Sequence, residues 1–542
     1  MRRSRGWERS GRLVVGLALA LLVGYPLVRL VLAAFADGPE PVLATFERSG
    51  IARAVGNTVW TSAAVTAAAV ALGTAGALTI ERGAVPARRW LRAGLLLPLL
   101  VPPFVAALGW TAGYGPGGVL DDAVGVAVPQ LYGPVGVITV ITVNAVPLAY
   151  LIVAGALRGR AEPDLERAAR VSGASVRTAL WTITLPLLRP ALGASAVVVF
   201  VFSVNSFGVP AVLGTPAGFE TMTTVIYQNL AFAADPDAFT RVLVLAVALV
   251  LVAVGAVAVS DAVAAGGRVR RTGGPAGTTS AHVTTQGRWA AAVAWGYVGA
   301  TSLVPLVALV LLALTRAVGL PPAPRYWTLQ NFADAVDGRT LSSLGHSLLL
   351  AAVAATLLVC LGGLVAALER SPAARRLGTL ATMTFALPGS ALAVAALLAY
   401  CSVLADTLAI ILVAYLGKLW ALGHRPLAAA VDRLPGDVHR AARASGAGPA
   451  TTLITVVAPL LSPALAAGWV LVFLFAFHEL TMSALLYGPG TATLGVAVLN
   501  LQQLGDTPAT AALAILLTAG VLVGAAPLLV FRGTWSRLRR VD

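Results

Sequence analysis

Residues 166–190 read ERAARVSGASVRTALWTITLPLLRP, and residues 439–463 read HRAARASGAGPATTLITVVAPLLSP. Aligned without gaps, the two stretches share 14 of 25 positions, and Gly173 and Gly446 stand about half of the 542-residue chain apart. A charged, alanine-rich, glycine-broken segment kept twice at that spacing marks a duplicated unit. Looser matches follow in the same order: NTVW at Asn57 answers HSLL at His346, ERGAVPARR from Glu81 answers ERSPAARR from Glu369, and LLLPLLVPP answers TFALPGSA.

The chain around these segments is 58% hydrophobic and only 11% charged, where a soluble globule carries roughly a quarter of its residues charged. A membrane helix needs about 20 mostly apolar residues, because hydrocarbon offers backbone groups no partner outside the helix itself. Twelve such runs are expected, at 13–35, 56–80, 93–113, 134–157, 190–213, 241–263, 289–315, 346–368, 377–401, 407–430, 463–487 and 509–531. The tenth carries Lys418, His424 and Arg425. Either its apolar span is short and these residues snorkel to the cytoplasm, or they face a wet cavity. The expected fold is an all-α polytopic membrane protein of two parallel six-helix repeats, residues 1–263 and 289–542. A connector rich in Gly, Ser and Thr joins them at 264–288.

The net charge of +15 does not point to nucleic acid. Thirty of the 38 Lys and Arg fall before the first helix, after the last, and in alternate loops, while the intervening loops hold Asp121, Asp122, Glu220, Asp235 and Asp237. This positive-inside alternation places both termini in the cytoplasm, with anionic lipid as an unspecific partner. The basic, then apolar N-terminus also has the outline of a secretory signal. Its apolar run of about 23 residues and its counterpart near 289–315 favour an uncleaved first helix. Cys360 and Cys401 are the two cysteines, both in apolar segments, so thiols build neither a disulfide framework nor a metal cluster.

Each repeated loop reads as a short helix outside the membrane. Pro163 suits a first helical position, Asp164 and Glu166 sit near the positive helix end, and Gly173 stops the helix in a left-handed cap; Pro435, Asp437 and Gly446 repeat the plan. Ten residues make a rod of about 15 Å, too short to be stable undocked. Ala168 and Ala169, like Ala441 and Ala442, leave one side nearly bare, with Arg167, Arg170, Arg440 and Arg443 flanking it. Prolines at 186, 190, 459 and 463 start the next membrane helix stiffly, so that a push on the loop reaches the core.

These two segments resemble the cytoplasmic loop signature of binding-protein-dependent ABC importer permeases. The matching residues are Ala168, Ala169, Gly173, Ile183, Leu185 and Pro186, then Ala441, Ala442, Gly446, Val456, Ala458 and Pro459. The resemblance implies that each loop is a coupling helix seated in a cleft of a separate ATPase subunit, two copies in all, and that an extracytoplasmic binding protein delivers the cargo. Glu166 belongs to the first loop, but Arg167 and Arg440 stand where the family usually has its Glu, and the second copy lacks the Leu before Pro459.

With the same offset, VFSVNSFGVPAVLGTP aligns with LFAFHELTMSALLYGP, setting Asn205 and Ser206, with Phe207 following, against His478 and Glu479. Polar groups at matching depths in both halves fit a translocation pathway, and fit equally well hydrogen bonds that only hold the bundle together. Both stretches resemble fused permeases that import iron(III), with thiamine, aminoethylphosphonate and polyamine importers as alternatives; acids and His suit a hard cation. A gradient-driven secondary transporter shares the helix count but leaves the duplicated loops unexplained. A membrane-embedded enzyme is not expected either: the five His are scattered, no catalytic motif is present, and no phosphate-binding Gly-x4-Gly-Lys-Ser/Thr loop occurs. No cofactor and no metal site are expected on this chain, and ATP is expected to be hydrolysed on another.

Overall fold

The computed structural model describes residues 2–47, 49–83, 85–160, 163–235, 237–265, 285–317, 319–321, 323–368, 372–434 and 437–538. Most of the expected connector, at 266–284, lies outside the described residues, as does Pro435. Regular structure among the described residues is helical, apart from one antiparallel bridge between Thr315 and Trp327.

Among the described residues, twelve spans emerge when each bent pair counts as one. They are α1 (Arg9–Ala34), α2 (Gly50–Arg82), α3 (Arg88–Leu99 and Pro103–Val124), α4 (Pro134–Arg158), α5 (Val176–Val204), α6 (Ala238–Val259), α7 (Arg288–Leu314), α8 (Gly338–Leu368), α9 (Ala373–Ala386 and Gly389–Leu404), α10 (Leu408–Lys418 and Trp420–Val431), α11 (Ile454–Phe477) and α12 (Thr507–Gly524). Each lies close to an expected run, with two systematic differences. Helices α3 and α9 bend by 104° and 107°, at Pro98 and Pro102 in one and at Pro388 in the other, where a missing N–H and a ring clash break the ladder. Helices α5 and α11 start before 190 and 463 and stop at Val204 and Phe477, just ahead of Asn205 and His478.

Prolines shape four of the unbroken spans as well, and the segment that follows α5. Five π turns occur among the described residues: Ala20–Gly24, Leu180–Thr184, Pro210–Gly214, Gly299–Leu303 and Leu453–Val457. Each ends two residues before a proline, at 26, 186, 216, 305 and 459. A widened turn relieves the clash between the proline ring and the carbonyl one turn back.

In the first half α2, α4 and α5 pack on one another; α8, α10 and α11 do the same in the second. Equivalent hydrogen bonds express the repeat at atomic level. Asn57 Nδ2 donates to Glu220 O at 2.8 Å, and His346 Nδ1 lies 3.0 Å from Ala492 O. Thr58 Oγ1 accepts from Met222 N–H at 2.9 Å, and Ser347 Oγ accepts from Leu494 N–H at 2.8 Å.

The first helix of each half bridges its own sequence repeat and the other. Helix α1 packs against α6 in its own half and against α8 and α9 in the other, and α7 packs against α12 in its own half and α3 in the other. Two tyrosines seal the contacts between halves: Tyr400 OH donates to Leu21 O and Tyr114 OH donates to Ala300 O, both at 2.5 Å. Each acceptor sits inside a π turn, where the widened ladder presents carbonyls outward.

Candidate functional site

The first repeated loop forms the helix Pro163–Val171 and the second forms Asp437–Ala444. Gly173 has φ +89° and Gly446 has φ +77°. Ala174 N–H reaches Ala169 O at 2.9 Å while Gly173 N–H reaches Arg170 O at 3.1 Å, and Ala447 N–H reaches Ala442 O at 3.0 Å. This is the Schellman closure, which satisfies the last helical carbonyls through a left-handed residue. A Cβ added at either glycine meets no atom within 4 Å. Glycine is required there by backbone conformation and not by crowding within the chain.

Only a short joint separates each loop helix from the next span. Ser175 Oγ accepts the Thr178 N–H at 3.0 Å and caps the start of α5. The π turn Leu180–Thr184 follows, then the half-buried Leu185 and Pro186. The second loop repeats the order with the π turn Leu453–Val457 and an exposed Pro459. Ala168 and Ala441 are exposed, Ala169 is half-buried, Ala442 is buried, and Val171 is 90% exposed. The side chains of Arg167, Arg440 and Arg443 lie outside the described residues.

Two ionic contacts at this end of the bundle escaped the sequence reading. Glu166 pairs with Arg82, the last residue of α2, and accepts the Thr184 hydroxyl proton from the π turn of α5. Arg82 also donates to Thr184 Oγ1 at 3.2 Å. Beside it, the Glu81 carboxylate is held by Arg88, Arg92 and Arg158, each at 2.8 Å, and by Tyr150 OH at 2.6 Å, with only 4% of its side chain exposed. The string ERGAVPARR, answered by ERSPAARR, was the available signal, but string matching shows where charges recur and not which residues they meet.

Deep in the bundle, the residues that follow α5 and α11 come to different ends. Asn205 crosses between the halves: its Oδ1 accepts from Gly389 N–H at 3.1 Å and lies 3.4 Å from Lys418 Nζ, and its Nδ2 donates to Val201 O at 2.7 Å. Lys418, at the 41° bend of α10, donates to Leu387 O at 2.6 Å. Its ammonium is thus directed at the break in α9. His424 is buried, with Nδ1 3.3 Å from Gly362 O.

Ser206 lines a small cavity with the hydroxyls of Thr58, Thr61, Ser62, Ser203 and Thr221, and its carbonyl accepts from Thr223 Oγ1 at 2.8 Å. Phe207 is buried against Tyr227, with ring centroids 5.0 Å apart. His478 packs near Phe475, and its buried Nδ1 has no hydrogen-bond partner. The Glu479 carboxylate caps the next short helix, accepting from Met482 N–H at 2.9 Å and Ser483 N–H at 3.1 Å; Ser483 Oγ lies 2.7 Å from Tyr415 OH. A carboxylate occupied by backbone donors is a poor ligand for a passing cation, and no group of three His, Cys, Asp or Glu suited to a metal forms among the described residues.

The site thus has two parts: a pair of exposed helices stiffly joined to membrane spans, and a seam where broken helices of both halves meet. The sequence profile described as "Binding-protein-dependent transport system inner membrane component" matches residues 73–266 and again 358–533. The chain is 25% identical over 506 residues to the Fe(3+)-transport system permease protein FbpB 2 of Haemophilus influenzae, covering 92% of each. It is 28% identical over 480 residues to the probable ABC transporter permease protein y4fN of Sinorhizobium fredii, over 82% of this chain and 81% of that one. A shorter match, 32% over 204 residues, links 36% of this chain to 76% of the molybdenum transport system permease protein ModB of Mycobacterium tuberculosis.

Proposed function

This chain belongs to the family of binding-protein-dependent transport system inner membrane components, and from that premise we propose that it carries iron(III) inward as the permease of an ATP-driven importer. It is a multi-pass membrane protein and the conduit of the system; the motor is a pair of ABC ATPase subunits on other chains. Both termini lie in the cytoplasm, as the alternation of basic and acidic loops supports.

One observation carries the reading. The same exposed helix, closed by the same left-handed glycine and followed by the same π turn and proline, occurs in both halves. Glu166, Arg167, Ala168, Ala169, Gly173, Leu185 and Pro186 form the first docking loop; Arg440, Ala441, Ala442, Gly446 and Pro459 form the second. A cleft that accepts the exposed Ala168 or Ala441 engages each helix, and the stiff joint passes its displacement to α5 and α11.

Cargo follows the seam, past Asn205, Ser206 and Phe207 in one half and His478 and Glu479 in the other. A loaded binding protein docks on the outer loops, the ATPases close on ATP, and the halves rock between inward-open and outward-open states biased by different contacts in each. Residues 1–263 and 289–542 are the two permease domains by sequence, with α1 and α7 bridging them. Iron(III) as cargo is supported by the Haemophilus influenzae relative, an Fe(3+)-transport system permease by name, which aligns along 92% of its length.

The test is uptake of radioiron(III) into liposomes holding this chain, its ATPase and its binding protein. Uptake that requires ATP and survives collapse of ion gradients is expected. Uptake by this chain alone, driven by a gradient, overturns the reading.

A further inference from the structure

The seam contains a cation that no carboxylate of the described residues contacts. Lys418 Nζ donates to Leu387 O at 2.6 Å, lies 3.4 Å from Asn205 Oδ1, and sits 5.9 Å above the Phe385 ring. An ammonium has three protons to place, and these contacts account for two. Among the described residues no carboxylate comes within 4.0 Å of it. Glu479 feels its field, but its carboxylate oxygens accept from the Met482 and Ser483 backbone. Charged groups inside membrane spans are costly, pair with one another or with backbone carbonyls, and mark pathways.

Its placement is specific. Asn205 comes from the end of α5, Leu387 and Gly389 from the break in α9, and Lys418 from the bend of α10. Non-helical backbone at membrane depth is tolerated where it is buried in protein or lines a cavity. Gly417, Leu419 and Trp420 are buried while Lys418 remains partly accessible. A Cβ at Gly389 would lie 3.6 Å from Lys418 Cδ and Cε, so the lysine stem lies along the start of Gly389–Leu404. The positive end of that 16-residue helix adds to the field of the ammonium.

We propose that Lys418 receives an anionic oxygen of the cargo, so that iron(III) crosses the seam with a carboxylate or phosphate ligand still attached and not as a bare ion. The part concerning iron rests on the function proposed above; the anionic oxygen rests on the seam alone. A fixed ammonium repels a bare trivalent cation and donates to the coordinated oxygens of a ligated one. Free oxyanions present the same oxygen chemistry.

The experiment compares wild type, Lys418→Met and Lys418→Arg, each assembled with the ATPase and binding protein in liposomes. One arm supplies radioiron(III) citrate and the other radiolabelled phosphate without iron. Methionine keeps an unbranched stem against Gly389 and removes the charge; co-purification with the ATPase reports assembly, and Lys418→Gln replaces any variant that fails it. Turnover at saturating binding protein should fall about tenfold to a hundredfold in the Met variant, the worth of one charge-assisted hydrogen bond, while Lys418→Arg keeps most of it. A loss confined to the iron arm supports a metal-bound anion. Transport and loss confined to the phosphate arm support the lysine's role but overturn the iron reading. Wild-type turnover in the uncharged variant, or equal loss in Met and Arg, overturns the proposal and leaves the iron reading standing. A wild-type complex that moves neither probe overturns both.

Discussion

Arg82, the last residue of α2, is ion-paired to Glu166 on the helix that precedes α5. The first loop helix is thereby tied to two spans: to α2 through Arg82, and to α5 through the Thr184 hydroxyl that shares the same carboxylate. Both partners are about a quarter exposed, so the pair contributes at most about 1 kcal/mol to stability. Under the proposed function its effect belongs to transmission. Glu166→Gln should leave thermal unfolding nearly unchanged while lowering ATPase activity stimulated by the loaded binding protein. Undiminished stimulation would sink this role.

Gly173 and Gly446 hold left-handed backbone with open space where a side chain would project. A β-branched residue there costs about 1–2 kcal/mol in backbone strain and opens the Schellman closure. The double substitution of both glycines to Val should abolish transport and stimulated ATPase while membrane insertion persists. Asn at either position tolerates the same φ and should retain activity. Normal stimulated ATPase in the Val double variant counts against docking at these loops.

Tyr114 and Tyr400 each donate to a carbonyl of the bridging helix from the other half. Interhelical hydrogen bonds within a membrane are worth about 1 kcal/mol. Tyr114→Phe and Tyr400→Phe should each lower the midpoint of thermal unfolding in detergent slightly. The effects should add in the double variant, because the two contacts share no partner. Strong non-additivity would mean that the bridging helices are coupled.

Asn205 accepts from Gly389 and faces Lys418 across the seam. Asn205→Asp converts that approach into an ion pair between the halves. Thermal stability should rise and transport should slow, since a seam tied more tightly resists opening. Faster transport, or a rate equal to wild type despite higher stability, argues that the seam does not open at this point.

Much of this molecule was legible along the chain because the signals are local. Hydrocarbon imposes a run of about 20 apolar residues on every span, so the twelve expected runs lie near the observed ones. The capping role of Gly173 was readable from a glycine following a short charged helix, since the left-handed region admits few other residues. Helices α5 and α11 were misplaced because hydropathy continues past Val204 and Phe477, while the ladder stops at Asn205 and His478. Lys418 was visible only as an awkward charge in α10; its partners Leu387 and Asn205 lie 31 and 213 residues away in sequence.

The amino-acid order alone therefore determined that this is a duplicated all-helical membrane protein with two equivalent loops, because hydropathy, charge alternation and repetition are written residue by residue. The bridging of the halves by α1 and α7, the tie from Arg82 to Glu166, and the meeting of Asn205, Gly389 and Lys418 came from folding in three dimensions. Each joins groups far apart in the chain, and no local preference of either partner specifies the other; the packing of the helices brings them together.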